Sequence, residues 1–343
     1  MNWVLMQELE AALAEWGQPA YRAKQVREGV LRGLSFDKIP SLPAALRERL
    51  AGAFVDQPAV IERVHEGGQN TQKLLFRLGD GERVEGVVMK YRHGNTLCLS
   101  TQSGCRMGCV FCASGMFGLA RDLTWQEMLG QVIAASAHLR AAGGPLRTLT
   151  NLVLMGSGEP LENWTQVHEF LQRVSSPDTF GISPRNISVS TCGLPEGIAD
   201  LTKSGLPVTL CWSMHAPTDE LRKRLMPGAA ARATVAQVVA ALRHHAQVTR
   251  RRVIVEYTLV RGLNDGLEQA KQVVTALRGL MCHVNLIPCN PVPGRPYQPS
   301  TRAAAQAFLA ELEGAGMSVT LRRTLGDDVA AACGQLVRII KEE

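Results

Sequence analysis

No run of apolar residues in this 343-residue chain approaches the roughly 20 that a membrane-spanning helix needs. The opening stretch MNWVLMQELEAALAEW carries acidic residues within an amphipathic pattern and lacks the basic start and apolar core of a secretory leader. A cytoplasmic location without membrane contact is therefore the expectation. There is no low-complexity tract and no short-period repeat. A second CxxC pair is missing, as is any His-x₃₋₅-His pair, so the usual four-ligand zinc frameworks are incomplete. The adjacent His244 and His245 read as part of a solvated helix face. Strong charge is lacking too: a net +6 and a pI near 8.9 suit a polyanionic partner without identifying one.

What is present fits a soluble α/β protein, with 45% hydrophobic and 20% charged residues and room for one large domain plus an appendage. Residues 1–55 read as short helices forming an N-terminal accessory domain. Residues 56–94 read as a β-rich connecting segment, with AVIERV, KLLFRL and RVEGVVMKY as strands between glycine turns. From residue 95 to 343 short apolar runs alternate with amphipathic helices. NTLCLS, NLVLM, NISVS, VTLCWS, VIVEYTLV and HVNLI are the strands, and Thr124 and Thr234 each open a helix with a capping box. Six β-α repeats imply a parallel sheet closed or partly closed into a barrel, with function gathered where the strands end.

Nine cysteines, an odd number, make a disulfide scaffold a poor reading and favour metal or redox chemistry where they cluster. After the first core strand comes Gly104-Cys105-Arg-Met-Gly-Cys109-Val-Phe-Cys112. Three thiolates in eight residues can converge on one metal centre, and three rather than four would leave one iron of a cluster open. Buried free cysteines are the bland alternative, and a zinc site is the stronger rival. CxxxCxxC with an aromatic residue before the last cysteine resembles the radical S-adenosylmethionine (SAM) superfamily. Gly156-Ser-Gly-Glu159-Pro160 after the second strand resembles its SAM-contacting turn.

Longer motifs narrow the resemblance. Thr96-Leu-Cys98 through Gly104-Cys105, Ser213-Met214-His215-Ala-Pro, Asn285-Leu-Ile-Pro-Cys-Asn290-Pro and Gly326-Asp-Asp through Cys333-Gly-Gln-Leu are similar to the RlmN/Cfr family of RNA adenosine methyltransferases, over essentially the whole chain. The resemblance implies a radical SAM partial (β/α)6 barrel with a small N-terminal helical and β accessory domain. It implies one 4Fe–4S cluster on Cys105, Cys109 and Cys112. It also implies two SAM molecules per turnover, with Gly158, Glu159, Ser190, Ser213, Met214, His215 and Asn290 as contacts. In the family, a cysteine matching Cys333 is methylated and the methyl group is activated by hydrogen abstraction. The resulting carbon adds to the adenine, and a cysteine matching Cys98 releases the product through a transient disulfide. Glu85 matches the proton acceptor. The expected partners are 23S ribosomal RNA, tRNA as a second pool, and a reducing electron-transfer protein.

Without the resemblance, Cys98 and Cys333 would read as buried apolar cysteines and Glu85 as an outward-facing charge. Cys192, Cys211, Cys282 and Cys289 read as core or near-site residues. Arg222-Lys-Arg224, Arg250-Arg-Arg252 and Arg322-Arg323 are candidate phosphate contacts, as is the N-terminal region with Arg22, Lys24 and Gln25. The family divides between methylation of adenine carbon 2 and of carbon 8, the second conferring antibiotic resistance. GEPLEN and IPCNPVPG favour carbon 2, while Met89-Lys-Tyr91 leans the other way.

Overall fold

The computed structural model describes residues 2–3, 7–68, 70–91, 94–143, 148–322 and 333–336. Strand β1 (Asn2–Trp3) is followed by helices α1 (Gln7–Glu15), α2 (Tyr21–Leu31) and α3 (Ala44–Ala53), after which β2 (Phe54–Val55) returns to pair in parallel with β1. Leu9, Leu13, Val26, Val30, Leu46 and Leu50 recur at helical spacing and are all buried. They join the same apolar core that runs through the rest of the protein.

Strands β3 (Ala59–Glu66), β4 (Thr71–Leu78) and β5 (Arg83–Tyr91) form an antiparallel meander, and β5 pairs antiparallel with β6 (Gly94–Cys98). The segment 56–94 is thus an extension of the main sheet as well as a connection. A small antiparallel pair, β7 (Gln102–Gly104) and β8 (Leu119–Asp122), brackets the cysteine loop.

The repeats follow in order: α4 (Trp125–Ala142), β9 (Leu149–Leu154), α5 (Trp164–Ser175), β10 (Ile187–Thr191), α6 (Pro195–Ser204) and β11 (Thr209–Ser213). Next come α7 (Asp219–Leu225), α8 (Pro227–Ala230), α9 (Val235–Thr249), β12 (Val253–Leu259), α10 (Leu267–Leu277), β13 (Cys282–Pro288), α11 (Arg302–Gly314) and β14 (Val319–Leu321). The sheet order is β14-β13-β12-β11-β10-β9-β6-β5-β4-β3, parallel from β14 to β6. Its two edge strands do not pair with each other among the described residues, so the barrel is partial. All six expected barrel strands are present, and both capping boxes form at Thr124 and Thr234.

Strand alternation decides what faces the lumen. On β12, Val253, Val255, Tyr257 and Leu259 enter the apolar core under the helices, while Ile254, Glu256 and Thr258 line interior cavities. One expectation is corrected here. His245 is not on a solvated face: it is buried on α9, its Nδ1 2.8 Å from Thr202 Oγ1, because helical periodicity turns it inward while His244 stays exposed.

Candidate active site

The cysteine loop leaves β7 at Gly104, whose φ of +81° belongs to the region glycine favours. A Cβ there would lie 2.0 Å from the Gly118 carbonyl, which accepts the Cys105 N–H at 3.1 Å. The loop is also held from below, where Val110 N–H donates to Leu225 O and Gly228 N–H to Met107 O. Cys105, Cys109 and Cys112 consequently line one cavity of about 160 Å³. Burial pushes the Cys105 thiol up to about 12, and Cys112, Glu159 and Glu162 push the same way. Burial also raises Cys109 well above the ordinary thiol range, with Cys112 and Cys105 adding to it and Arg222 opposing. A metal that takes up their charge would let crowded thiols of this kind ionise together.

The residues fit an iron–sulfur cluster. Among the described residues no three His, Cys, Asp or Glu side chains close on a single ion. Three thiols on one cavity wall suit a polynuclear cluster, with one iron per thiolate, better than mononuclear zinc.

The opposite wall is the turn after β9. Gly158 has φ +110°, and a Cβ there would stand 2.6 Å from Gln102 Cβ. Gln102 Oε1 in turn accepts the Glu159 N–H at 2.7 Å. Glu159 is buried, and its carboxylate accepts Leu161 N–H at 3.0 Å and Cys192 N–H at 2.7 Å. Burial raises its pKa, and those donors hold it back. The anchored carboxylate lines the cavity and can accept from an ammonium.

Ser190 on β10 and Ser213 on β11 lie with their hydroxyl oxygens 3.1 Å apart and face the same cavity. His215 has φ +50°, a left-handed conformation held by buried Asn264, whose Nδ2 donates to His215 O at 2.8 Å and to Thr258 O at 2.6 Å. Its Nδ1 accepts Thr258 N–H at 2.9 Å, so a neutral ring carries its proton on Nε2. Burial and Arg222 lower its pKa to about 3, which keeps the ring neutral. Met214 is fully buried in the core and does not line the cavity.

Cys333 and the three residues after it form a strap over this site. Ala113 N–H donates to Gly334 O at 2.7 Å and Ser114 Oγ to Leu336 O at 2.7 Å. From the end of β13, Asn290 Nδ2 donates to Cys333 O at 2.9 Å, and Gln335 Nε2 donates to Pro291 O at 2.9 Å. Cys333 lines the cluster-side cavity and also a second cavity of about 330 Å³, where Cys98 forms part of the wall. The free surface of Cys333 opens onto these cavities; surrounding protein still desolvates the thiol and raises its pKa, with Arg322 opposing. The rest of the motif, residues 326–332, lies outside the described residues, as does Arg323.

Glu85 shares a face of β5 with Val87, Met89 and Tyr91, which line the second cavity, but does not line it itself. Its carboxylate pairs with Lys73 at 2.8 Å, and both side chains are largely buried. Glu85 O accepts the Ser100 hydroxyl at 2.7 Å, and Ser100 Oγ accepts Ser157 N–H at 2.8 Å. Gln131 on α4 grips the Ser100 backbone from both sides, each bond 3.0 Å.

The pattern of the Radical SAM superfamily matches residues 99–274. A probable dual-specificity RNA methyltransferase RlmN from Symbiobacterium thermophilum is 43% identical over 335 residues, covering 96% of this chain and 89% of its own. A protein of the same description from Clostridium botulinum strain Loch Maree is 41% identical over 336 residues, covering 97% of this chain and 96% of its own. A crystal structure of a radical SAM methyltransferase from Sphaerobacter thermophilus superposes with a TM-score of 0.92 at 39% identity, covering 98% of this chain and 99% of that one.

This chain belongs to the RlmN/Cfr family. As a radical SAM methyltransferase of that family it works with a 4Fe–4S cluster and SAM.

Several residues of this RlmN/Cfr site escaped the sequence. Gln102, Ser100, Gln131 and Glu256 all hold or line it, and each acts on partners far along the chain, while Arg322, read as a phosphate contact, lines both cavities. One proposed phosphate contact is corrected. Arg222 is fully buried on the inner side of α7, its guanidinium donating to the Cys192 and Met214 carbonyls, whereas Lys223, Arg224, Arg250 and Arg252 remain exposed. Of the other silent cysteines, Cys192 and Cys289 line the cluster-side cavity and Cys211 the second.

Proposed function

We propose that this enzyme methylates carbon 2 of an adenosine in 23S ribosomal RNA, and in tRNA, using a methyl group carried on Cys333. The observation that carries the reading is the shared cavity wall. Cys98 and Cys333 both face one cavity, and Cys333 also faces the cavity of the three cluster cysteines. When bound, the cluster supplies the electron that cleaves SAM, and two SAM molecules per turnover supply the methyl group and the radical that activates it.

The chain's own residues do the rest. Cys105, Cys109 and Cys112 hold the cluster; Glu159 takes the SAM ammonium, with Gly158, Ser190, Ser213, His215 and Asn290 around it. Cys333 carries the methyl group to the adenine. Glu85 is assigned the proton of the target carbon by its match to the family; its carboxylate, held by Lys73 beside the second cavity, has to turn into that cavity to take it. Cys98, as thiolate, then attacks the Cys333 sulfur: an S–S bond forms, the S–C bond breaks with its pair going to the methylene carbon, a proton taken up there completes the methyl group, and the disulfide awaits two electrons from a reducing partner. The cytoplasm, which supplies such reductants, is the proposed location.

Nucleoside mass spectrometry on 23S RNA and tRNA, incubated with anaerobically reconstituted protein, SAM and reductant, tests this reading. 2-Methyladenosine in each pool is the expected product. 8-Methyladenosine would move the protein to the other branch, and no methyladenosine despite SAM cleavage would refute an RNA substrate.

A further inference from the structure

The second cavity holds a buried carboxylate that nothing in the reaction scheme uses. Glu256, in the middle of β12, is 5% exposed and lines both cavities. Asn285 Nδ2 donates to its Oε1 at 3.1 Å. Its Oε2 is buried without a hydrogen bond, and Arg322 Nη1 lies 3.8 Å away, an ion-pair distance too long for one. An unsatisfied buried carboxylate oxygen is costly unless a ligand completes it.

The surroundings say what kind of ligand. Apolar side chains of Val87, Met89, Val153, Ile254 and Ile287 wall the cavity, a composition suited to the faces of a flat ring. Among the polar side chains that share the lining, Glu256 and Arg322 are the charged pair, an acceptor and a donor side by side. Acceptor beside donor complements a ring edge that presents an amino group next to an unprotonated ring nitrogen. Adenine has that edge. Cys98 and Cys333 open onto the same space, so a base held there would meet both sulfurs.

We propose that Glu256 and Arg322 read the amino edge of the target adenine, Oε2 accepting from the exocyclic amine and the guanidinium donating to the neighbouring ring nitrogen. This rests on the adenosine reading above and adds the residues that select the base. Two rival roles exist for the same side chains. A structural ion pair would need a close hydrogen-bonded contact, which 3.8 Å does not give. A SAM contact would belong with Ser190 and Ser213, yet Asn285, which orients the carboxylate, lines only the second cavity.

The test is a cycle between enzyme and base. Reconstituted wild type and Glu256→Ala are each given a ribosomal RNA hairpin with either adenosine or purine riboside, which lacks the amine, at the target position. The wild-type preference for adenosine in kcat/KM is expected to exceed the variant's by about 10- to 100-fold, because intrinsic ring reactivity is common to both preferences and cancels in their ratio. Iron content, which does not depend on base recognition, serves as the control for folding.

An unchanged preference in Glu256→Ala overturns the proposal, as does a raised KM for SAM with that preference intact. Should Glu256→Ala fail to fold, the isosteric Glu256→Gln decides in the same way, with at least a several-fold fall expected. Failure of wild type to methylate the adenosine hairpin at all would instead sink the function proposed above. The two failures are therefore separable.

Discussion

Ser100→Ala is the substitution whose cost follows most directly from the geometry. The hydroxyl of this fully buried serine donates to Glu85 O and accepts Ser157 N–H, linking β5 to the turn that carries Gly158 and Glu159. Alanine would leave the Ser157 N–H without an acceptor and remove one bond from the Glu85 carbonyl. An orphaned buried donor costs about 1–3 kcal/mol and a lost neutral hydrogen bond about 1, so a loss of about 2–4 kcal/mol is expected. Unfolding entropy near 2.1 cal/mol/K per residue over 343 residues turns that into a fall in Tm of about 3–6 °C. Far-UV circular dichroism melts of the apoprotein read it, with urea titration giving the free energy independently. The link also bears on function, because Cys98 and Glu159 lie close to its two ends. Release of methylated RNA should therefore slow more than cluster assembly. A variant that melts within 1 °C of wild type would refute the role given to this hydroxyl.

Further outcomes follow from the site. Cys333→Ala should keep its iron and cleave SAM yet transfer no methyl group to RNA; methylated RNA from that variant would end the carrier role. Cys98→Ala should accumulate a covalent protein–RNA adduct, detectable as a shifted band after denaturation, and normal release of product would count against its resolving role. Burial, reinforced by Cys333, pushes the Cys98 thiol up to about 12. Its thiolate fraction, and with it single-turnover release, should rise about tenfold per pH unit between 7.5 and 8.5, and a flat profile would exclude that thiolate as the attacking group. Burial holds His215 at about 3, below the ~6.5 of an unfolded histidine. The unfolded chain therefore binds one more proton between those values. Stability present above pH 6.5 is lost as pH falls, by about 1.4 kcal/mol per unit, and His215→Asn should flatten that slope in urea titrations.

How much of this was legible depended on how local each signal is. The cysteine loop, the capping boxes at Thr124 and Thr234 and the six barrel strands are written in spacings of a few residues, so each could be read directly. The roles of Cys98 and Cys333 came only from matched motifs, since either residue alone reads as core. Glu256 and Gln131 carried no signal because their meaning lies in partners distant in sequence: Gln131 binds Ser100 across 31 positions, and Glu256 receives Asn285 across 29. Arg222 and His245 misled for one reason. A charge run or a histidine pair does not reveal which member the helix turns inward, and in α7 and α9 one of each was turned into the core.

The strap at residues 333–336 has a consequence for the order of folding. Its bond from Ser114 Oγ to Leu336 O joins positions 222 residues apart, with the parallel strands from β9 to β14 lying between them in the chain. Contacts of such separation form late, after the intervening strands have closed around them. Cys333, the proposed methyl carrier, and the cysteine loop therefore come together only in a finished barrel. On the proposed roles, a partly folded chain keeps the carrier sulfur away from the loop that would hold the radical source, so assembly itself guards the protein from its own chemistry.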